Sequence, residues 1–155
     1  MHATQLQARV HAMRIEAEAV LGIELRPAGG GVVFPPFEPG AHIDLHLPEG
    51  VTRSYSLCNP VDAPGRYVLG VLRDRGSRGG SRYVHEQLRV GQAVAISPPR
   101  NNFKLRSGDA KSVLVAGGIG ITPIWSMLQQ LVAQGREVEL IYCARSPGEA
   151  AFAQD

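Results

Sequence analysis

The spacing of apolar and polar residues predicts β-structure over the first two thirds of the chain. Residues 41–47 alternate strictly between apolar and polar side chains, a period of two that is typical of a strand with one buried face. Turn-forming prolines and glycines separate it from other predicted strands at residues 10–25 (two strands), 52–57, 66–72 and 93–96. A short helix is predicted at 81–88, with Ser81 as its N-cap. Short strands at this spacing indicate an antiparallel barrel or sandwich.

The pattern changes near residue 107. Residues 112–116 are a continuous apolar run, typical of a strand buried on both faces. A glycine turn, a helix, a second strand and the start of another helix follow, at residues 117–122, 123–134, 137–143 and 148–155. The sequence therefore predicts a mainly β domain over residues 1–106. It predicts the N-terminal part of an incomplete α/β domain over residues 107–155.

The composition fits a folded globular protein. With 44% hydrophobic and 19% charged residues, the 155-residue chain can bury a core and is not disordered. A formal charge of +2 is too small to indicate a nucleic acid or an anionic membrane as partner. Two cysteines exclude a disulfide scaffold and any four-thiolate iron–sulfur cluster held by this chain alone. No signal-peptide pattern opens the sequence, so we predict a cytoplasmic protein that contacts no membrane.

The glycine turn is the first candidate for chemistry. Gly117, Gly118 and Gly120 lie between a predicted strand and a helix, where the backbone can approach an anion closely. Because Pro123 occupies the third glycine position, the turn is not the full dinucleotide-binding fingerprint. A tight turn without any ligand is the alternative interpretation.

The second candidate is an arginine-rich segment at residues 73–82. It contains four arginines and ends in Gly79-Gly80-Ser81-Arg82. Guanidinium groups, free amides and a hydroxyl together are suited to binding phosphate. A solvated hairpin loop is the alternative.

The third candidate is the strand motif Arg53-Ser54-Tyr55-Ser56-Leu57. Alternation places Arg53 and Tyr55 on one face of the strand and Ser54 and Ser56 on the other. An aromatic ring beside a basic group can stack on a planar ligand and hold a phosphate. Taken alone, a tyrosine in a strand more often serves packing.

In this order and spacing, the three motifs resemble the ferredoxin–NADP reductase superfamily, as does the strand entry Phe37-Glu38-Pro39-Gly40-Ala41-His42. The resemblance extends over most of the chain and is greatest to the phthalate dioxygenase reductase and vanillate demethylase reductase branch. It implies a flavin-binding antiparallel barrel followed by an NAD(P)-binding α/β domain. In this branch the flavin is FMN, with FAD the less favoured alternative, and a plant-type [2Fe–2S] domain follows at the C-terminus.

The resemblance also implies roles for individual residues. Arg53 and Ser54 would bind the flavin and its phosphate, Tyr55 would lie along the isoalloxazine, and Ser56 would lie near its reactive edge. Ser56 and Thr122 are thereby the catalytic candidates, with Thr122 closing over the flavin. The other implied positions line the flavin through the backbone (Gly70, Val71 and Leu72), hold the FMN phosphate (Gly79, Gly80 and Ser81) or face the nicotinamide (Gly117, Gly118 and Gly120). Relatives can carry a basic residue in place of Leu72.

The implied activity is hydride transfer from NADH or NADPH to FMN, in the reductase component of a Rieske-type oxygenase or demethylase system. A ferredoxin domain or an oxygenase component would accept the electrons. The branch usually uses NADH, whereas Arg145-Ser146 after the second strand leans towards tolerating NADPH. Two alternatives stay open: a non-catalytic flavin-binding or partner-docking module, because the nucleotide domain is incomplete, and a barrel without a cofactor.

Three smaller features complete the sequence reading. His42, Asp44 and His46 share one strand face and could bind a divalent metal, but a solvated outer face is the favoured interpretation, so no metal is predicted. His85 is predicted to lie on an exposed helix surface. Cys58 and Cys143 are predicted to be buried or half-buried thiols. Exposed apolar surface is expected on the incomplete sheet.

Overall fold

The first part of the chain forms an antiparallel barrel. The computed structural model describes residues 5–63, 65–108 and 111–154. Six strands make up the barrel sheet: β1 (Leu6–Ala17), β2 (Val20–Pro27), β3 (His42–His46), β4 (Thr52–Ser56), β5 (Tyr67–Leu72) and β6 (Ala93–Ile96). Their order across the sheet is β4-β3-β6-β1-β2-β5, and every neighbouring pair is antiparallel. This confirms the predicted mainly β, antiparallel architecture.

Residues just after β4 close the sheet into a barrel. Leu57 forms an antiparallel bridge with Leu69 of β5. The backbone N–H of Cys58 donates to the carbonyl oxygen of Val68 at 2.8 Å. The two outermost strands of the sheet therefore meet, which removes open strand edges at that point.

The barrel encloses one hydrophobic core. Alternate residues of its strands, such as Ile43 and Leu45 of β3, are fully buried, as the strict alternation of residues 41–47 predicted. The first helix, α1 (Gly80–Glu86), contributes Val84 to the same core. At one end Tyr67 stacks on Phe34, with ring centroids 4.3 Å apart, and its hydroxyl donates to the carbonyl oxygen of Pro35.

The predicted cap of α1 is wrong. The residue before the helix is Gly79, and Ser81 lies inside the first turn. Gly79 has φ = 100°, a conformation that favours glycine, so the chain turns sharply into the helix without a side-chain cap. The Ser81 hydroxyl instead accepts a hydrogen bond from the backbone N–H of Asp74 at 3.2 Å, which ties the helix start to the preceding loop.

The second part is a strand–helix–strand unit, as predicted. It consists of β7 (Ser112–Gly117), a 3-10 turn (Gly118–Gly120), α2 (Ile121–Ala133) and β8 (Val138–Cys143), which pairs with β7 in parallel. Helix α2 begins two residues before the predicted Pro123 because the 3-10 turn leads directly into it. No helix among the described residues is long and apolar enough to cross a membrane.

The prediction that residues 112–116 are buried on both faces is wrong. Leu114 and Ala116 are buried against α2, but the side chains of Val113 and Val115 are 54% and 63% exposed. No element of the described chain covers that face. The expected exposed apolar surface is present, and Ile141 of β8 extends it.

The helix predicted at residues 148–155 does not form in the described part of that segment. A short 3-10 helix spans Pro147–Glu149, and turns follow up to residue 154, while residue 155 lies outside the described residues. Phe152 takes φ = 63° and is buried, with its ring stacked on Trp125 at a centroid distance of 5.8 Å. Burial of this aromatic ring outweighs the weak helical preference of so short a segment.

Candidate functional site

The structure brings the strand motif and the arginine-rich segment into contact. Arg53 of β4 lies against Gly80, where a Cβ atom would fall 2.6 Å from the Arg53 Cγ. The Arg53 Nη2 donates to the carbonyl oxygen of Arg78 at 3.2 Å, and Nη1 donates to that of Thr52 at 2.8 Å. Any side chain at position 80 would displace the arginine. Gly80 is therefore needed for close packing of the two motifs.

The arginine-rich loop leaves most of its cations unneutralised. Arg73 pairs with Glu86 at 2.6 Å. Within the described chain, by contrast, the Arg53 guanidinium donates hydrogen bonds only to carbonyl oxygens, and the side chains of Arg75, Arg78 and Arg82 form no ion pair. An unpaired guanidinium can bind phosphate with two parallel hydrogen bonds. The loop therefore presents a positive surface beside β4.

Ser54 lies on the other face of β4, as the alternation predicted. Its hydroxyl donates to Asp44 Oδ1 at 2.6 Å, and Arg100 Nη2 pairs with Asp44 Oδ2 at 2.7 Å. Partial burial acts to raise the pKa of Asp44, but the hydrogen bonds from Ser54 and Arg100 and the Arg100 charge outweigh it and lower that pKa. Ser54 is thus bound to Asp44 and does not share the face of Arg53.

The same contacts bear on the possible metal site. Asp44 is occupied by Ser54 and Arg100, and His46 Nδ1 lies 3.0 Å from the Thr52 hydroxyl. No group of three or more His, Cys, Asp or Glu side chains among the described residues is placed to hold a metal ion. His42, Asp44 and His46 are each half-buried on this face of β3.

Tyr55 and Ser56 take opposite sides of the end of β4. Tyr55 lies opposite Ile43 in the antiparallel register, whereas Ser56 lies opposite His42. Tyr55 is half-buried against the barrel core, and this burial raises the pKa of its phenol. Its ring is therefore fixed by packing while part of it stays accessible.

The glycine turn packs on β5 through Thr122. A Cβ at Gly70 would fall 2.7 Å from Thr122 Cγ2, so Gly70 permits a close approach of α2 to the barrel. The hydroxyl of Thr122, which is 6% exposed, donates to the carbonyl oxygen of Ile119 at 3.0 Å. In this structure Thr122 braces the glycine turn against the strand.

His85 lies on the surface helix α1, as predicted, but its side chain is not fully exposed. It is half-buried, and its Nε2 lies 2.8 Å from the carbonyl oxygen of Val71. The bond ties α1 to the strand that carries Gly70, Val71 and Leu72. No motif in the sequence around His85 predicts this hydrogen bond.

A cleft of about 710 Å³ separates the barrel from the strand–helix–strand unit. Leu72 and Arg75 line it on the barrel side, and Gly118 and Arg145 line it on the other. Its volume falls within the range of small-molecule sites, about 300–1,000 Å³. Of the predicted site residues, the cleft brings together Leu72 and Gly118; Arg53, Tyr55 and Ser81 lie outside its lining. Gly117 and Gly120 are exposed beside Gly118.

The two cysteines differ in environment. Cys58 is buried, and its burial raises the pKa of the thiol to about 12 despite a hydrogen bond to the Gly70 backbone. Cys143 is exposed and lines the cleft, so the prediction of a buried or half-buried thiol is wrong for this residue. It ends β8, beyond the cover of α2.

Comparison with known proteins identifies the fold family. The family model "Oxidoreductase NAD-binding domain" matches residues 114–155. A vanillate O-demethylase oxidoreductase of a Pseudomonas species is 52% identical over 145 residues, which are 94% of this chain and 45% of that protein. The solved structure of a phthalate dioxygenase reductase, titled a modular structure for electron transfer from pyridine nucleotides to [2Fe–2S], superposes with a TM-score of 0.91 at 41% identity. The chain belongs to the ferredoxin–NADP reductase superfamily.

The match covers most of this chain but less than half the length of the curated relatives. The phthalate dioxygenase reductase structure is matched over 96% of this chain and 46% of its own. The phthalate dioxygenase reductase of Burkholderia cepacia is 46% identical over 123 residues, which are 79% of this chain and 38% of that protein. The resemblance predicted from the motifs is confirmed, including the branch.

The motifs did not reveal every residue that holds this superfamily fold together. Besides His85, polar contacts between the barrel and α2 involve Asn59, Ser126 and Gln129. None of the three belongs to a spacing that predicts chemistry. Their significance depends on tertiary contacts between segments almost seventy residues apart.

Proposed function

We propose that the chain is the flavin-binding and partial nucleotide-binding portion of an NAD(P)H-dependent flavin oxidoreductase that supplies electrons to an oxygenase or demethylase system. The observation that carries this proposal is the contact of Arg53 with Gly80, which unites two of the three superfamily motifs at one end of β4. Two relatives that match most of this chain are named vanillate O-demethylase oxidoreductase and phthalate dioxygenase reductase.

The residues at this site fit FMN. Arg53, with no carboxylate partner among the described residues, and the unpaired arginines of the 73–82 segment supply positive charge for a phosphate. Gly80 lies against the Arg53 side chain, and a Cβ at the neighbouring Gly79 would meet no described atom within 4 Å, so the backbone there is open to a ligand. We propose that Ser81, the next residue, takes part in holding the phosphate. Tyr55 offers a packed aromatic face. We favour FMN over FAD because the positive groups cluster around one short segment.

When bound, a flavin accepts a hydride from a reduced nicotinamide. The protein would contribute alignment. Arg53 would hold the phosphate, Tyr55 would restrict the ring on one side, and Gly70, Val71 and Leu72 would line it through the backbone. Ser56 and Thr122 are proposed beside the reacting ring edge. Ser54, which donates to Asp44, would act by fixing β4 rather than by direct contact.

The nicotinamide cofactor would occupy the cleft beside Gly117, Gly118 and Gly120. Leu72 and Arg75 would face it from the barrel, and Arg145 from the second unit. We assign residues 1–106 to the flavin domain and 107–155 to the nucleotide domain. NADH and NADPH are both candidates, and the electrons would pass to a ferredoxin domain or an oxygenase component.

Flavin reconstitution tests this proposal. The purified chain should bind FMN, turn yellow and bleach under anaerobic conditions when NADH or NADPH is added. Arg53→Gln should weaken FMN binding by about tenfold or more, because it removes a charged phosphate partner. Arg9→Gln is the matched control, since Arg9 also donates to a carbonyl oxygen, that of Gly91, but lies on β1. A chain that binds neither FMN nor FAD would contradict the proposal.

A second candidate function is a flavin-binding or docking module without hydride transfer. It is favoured by the sheet of the second unit, which contains only two strands in the described chain. Nucleotide domains of this doubly wound type bind their cofactor across several strands. Flavin binding without bleaching by either nicotinamide would support this second candidate over the first.

A further inference from the structure

The junction between the barrel and α2 contains one buried and one partly buried hydrogen bond as well as apolar contacts. The Ser126 hydroxyl, fully buried on α2, donates to the carbonyl oxygen of Asn59 at 3.1 Å. One turn along, Gln129 Nε2 donates to the carbonyl oxygen of Cys58 at 2.8 Å. We refer to these two bonds, Ser126–Asn59 and Gln129–Cys58, as the carbonyl clamp.

The barrel side of the carbonyl clamp is itself rigidly held. Asn59 is 4% exposed, and its Oδ1 accepts the backbone N–H of Val68 at 2.9 Å. Its Nδ2 donates to the carbonyl oxygens of Pro60 and Arg66 at 3.1 and 3.2 Å. The side chain of Asn59 thus fixes the start of β5 while its backbone carbonyl receives α2. Movement of α2 relative to β5 would break the buried Ser126–Asn59 bond, which water cannot readily replace, and the partly buried Gln129–Cys58 bond beside it.

The two hydrogen bonds of the carbonyl clamp depend on direction, whereas the apolar contacts around them do not. The apolar face of α2, which includes Ile124 and Met127, packs in a cluster with Val20 and Val68 of the barrel. Apolar packing favours burial but is insensitive to small sliding motions, whereas hydrogen bonds weaken steeply when misaligned. The two polar bonds therefore set the position of α2 along the barrel.

That position determines the geometry of the proposed site. Cys58 and Asn59 lie just beyond the end of β4, which carries Tyr55 and Ser56 and is separated from them by Leu57 alone. At the start of α2, Thr122 lies close to Gly70 of β5. A shift of α2 would separate Thr122 and the glycine turn from the strands that carry the barrel's part of the site.

We propose that Ser126 and Gln129 are positioning residues, which through the carbonyl clamp hold the glycine turn against β5 at the distance needed for hydride transfer. The expected effect on hydride transfer rests on the proposed function, but the carbonyl clamp itself can be tested without a flavin. Both side chains act through α2 and bind the barrel away from the cleft.

Variants at adjacent glutamines provide a matched test. Gln129→Met keeps the length of the side chain and removes its donor, and Ser126→Ala removes the hydroxyl with little change of volume. Gln130→Met is the control, because the Gln130 side chain, one residue further on, forms no hydrogen bond to any residue that the structure describes. Thermal unfolding identifies any variant that fails to fold. If one of the two clamp variants does not fold, the other is used for the measurements below.

The first measurement is hydrogen exchange in the chain without flavin. Loss of the carbonyl clamp should speed exchange at the Val68 amide, which Asn59 protects, and in the first turn of α2. Gln130→Met should leave both regions at the wild-type rate. If the Gln129 and Ser126 variants match this control, the carbonyl clamp does not fix the junction and the inference is wrong, whether or not FMN binds.

The second measurement uses the FMN-loaded protein. Trp125, the single tryptophan, lies on α2, so energy transfer from Trp125 to FMN reports the position of α2 relative to the flavin. Its lifetime without FMN corrects for local effects, since Gln129 also donates to the Trp125 carbonyl oxygen at 3.0 Å. The clamp variants should lose transfer efficiency while retaining FMN affinity.

The third measurement separates positioning from simple stability. At saturating NADH, the rate of FMN reduction should fall by about tenfold to 100-fold in the clamp variants, since a displacement of about 1 Å can have that effect. A variant that lowers the melting temperature but keeps the wild-type reduction rate and energy transfer would overturn the positioning role. Failure of the wild type to bind FMN would instead overturn the proposed function and leave the exchange result to decide on the clamp.

Discussion

The barrel and the strand–helix–strand unit differ in how completely they bury their hydrophobic side chains. In the barrel, six antiparallel strands curve until the ends of β4 and β5 meet, so each strand buries a face in one shared core. In the second unit, β7 and β8 bury one face on α2 and expose Val113, Val115 and Ile141 on the other. An antiparallel sheet can close on itself, whereas a parallel sheet requires cover on both faces. The residues proposed to hold flavin belong mostly to the self-contained region.

Truncation of one side chain in each region should give the largest difference in the free energy of unfolding. Leu69→Ala removes a fully buried side chain from the barrel and should lower the free energy of unfolding by about 2–5 kcal/mol. Val115→Ala, on the uncovered face, should change it by less than about 0.5 kcal/mol. Denaturant unfolding measures both values. Equal losses would mean that the exposed face of β7 is covered in solution.

The contrast should also appear in ligand binding. FMN is proposed to use groups of the barrel and its helix, whereas the nicotinamide relies on a sheet of two strands. We therefore expect FMN to bind at least about tenfold more tightly than NADH, a difference of about 1.4 kcal/mol. Isothermal titration of each cofactor measures this ratio, with NADH titrated into the FMN-loaded chain. Comparable affinities would contradict the expectation.

Ion pairs on the two regions should differ in strength and in pH dependence. The pKa of Asp44 is lowered, so its contribution to stability is present above about pH 4 and is lost as the pH falls and the group binds a proton. Asp44→Asn should therefore reduce stability at pH 7 by on the order of 1 kcal/mol. The difference from wild type should shrink only as the pH falls below about 4. Unfolding curves at several pH values would show this.

Glu139→Gln is the control for that experiment. Glu139 pairs with Lys111 at 2.8 Å in the second unit, and both side chains are about half exposed. Exposed pairs contribute about 0–1 kcal/mol, so the loss should be smaller than at Asp44. A larger effect at Glu139 than at Asp44 would reverse the proposed ranking of the two networks.

The smallest effect on folding is expected from polar substitutions on the uncovered face. Replacing Val113, Val115 and Ile141 by threonine should reduce self-association at high concentration while leaving the melting temperature almost unchanged. Val132→Thr, at a 60% exposed position on α2, is the control. Light scattering over a concentration series measures the association. If all variants behave like wild type, this face is not the one through which copies of the chain associate.

The sequence predicted the strands of the barrel because their pattern is local. Alternation at residues 41–47 specifies which side of β3 is buried, and the glycines around residue 118 mark the junction of β7 with α2. The family motifs likewise predicted the fold class. These features depend on neighbours in sequence, which a single chain displays directly.

The errors occurred where distant contacts decide the structure. Ser81 does not cap α1, because the backbone of Gly79 turns directly into the helix and Asp74 binds the serine hydroxyl. Phe152 turns back on Trp125 instead of continuing a helix. A run of apolar residues in β7 indicated burial on both faces, although cover depends on what packs there. The Arg53–Gly80 contact was likewise visible only in three dimensions, because 26 residues follow Arg53 before Gly80.

The different surroundings of the two cysteines make the protein convenient for site-specific chemistry. Cys58 is enclosed and stays protonated at neutral pH, while Cys143 is accessible at the edge of the cleft. A maleimide reagent should therefore attach at a single position without prior removal of a thiol. Such an attachment could immobilise the protein on an electrode with the cleft towards the conducting surface, so that current could be recorded without a natural electron acceptor.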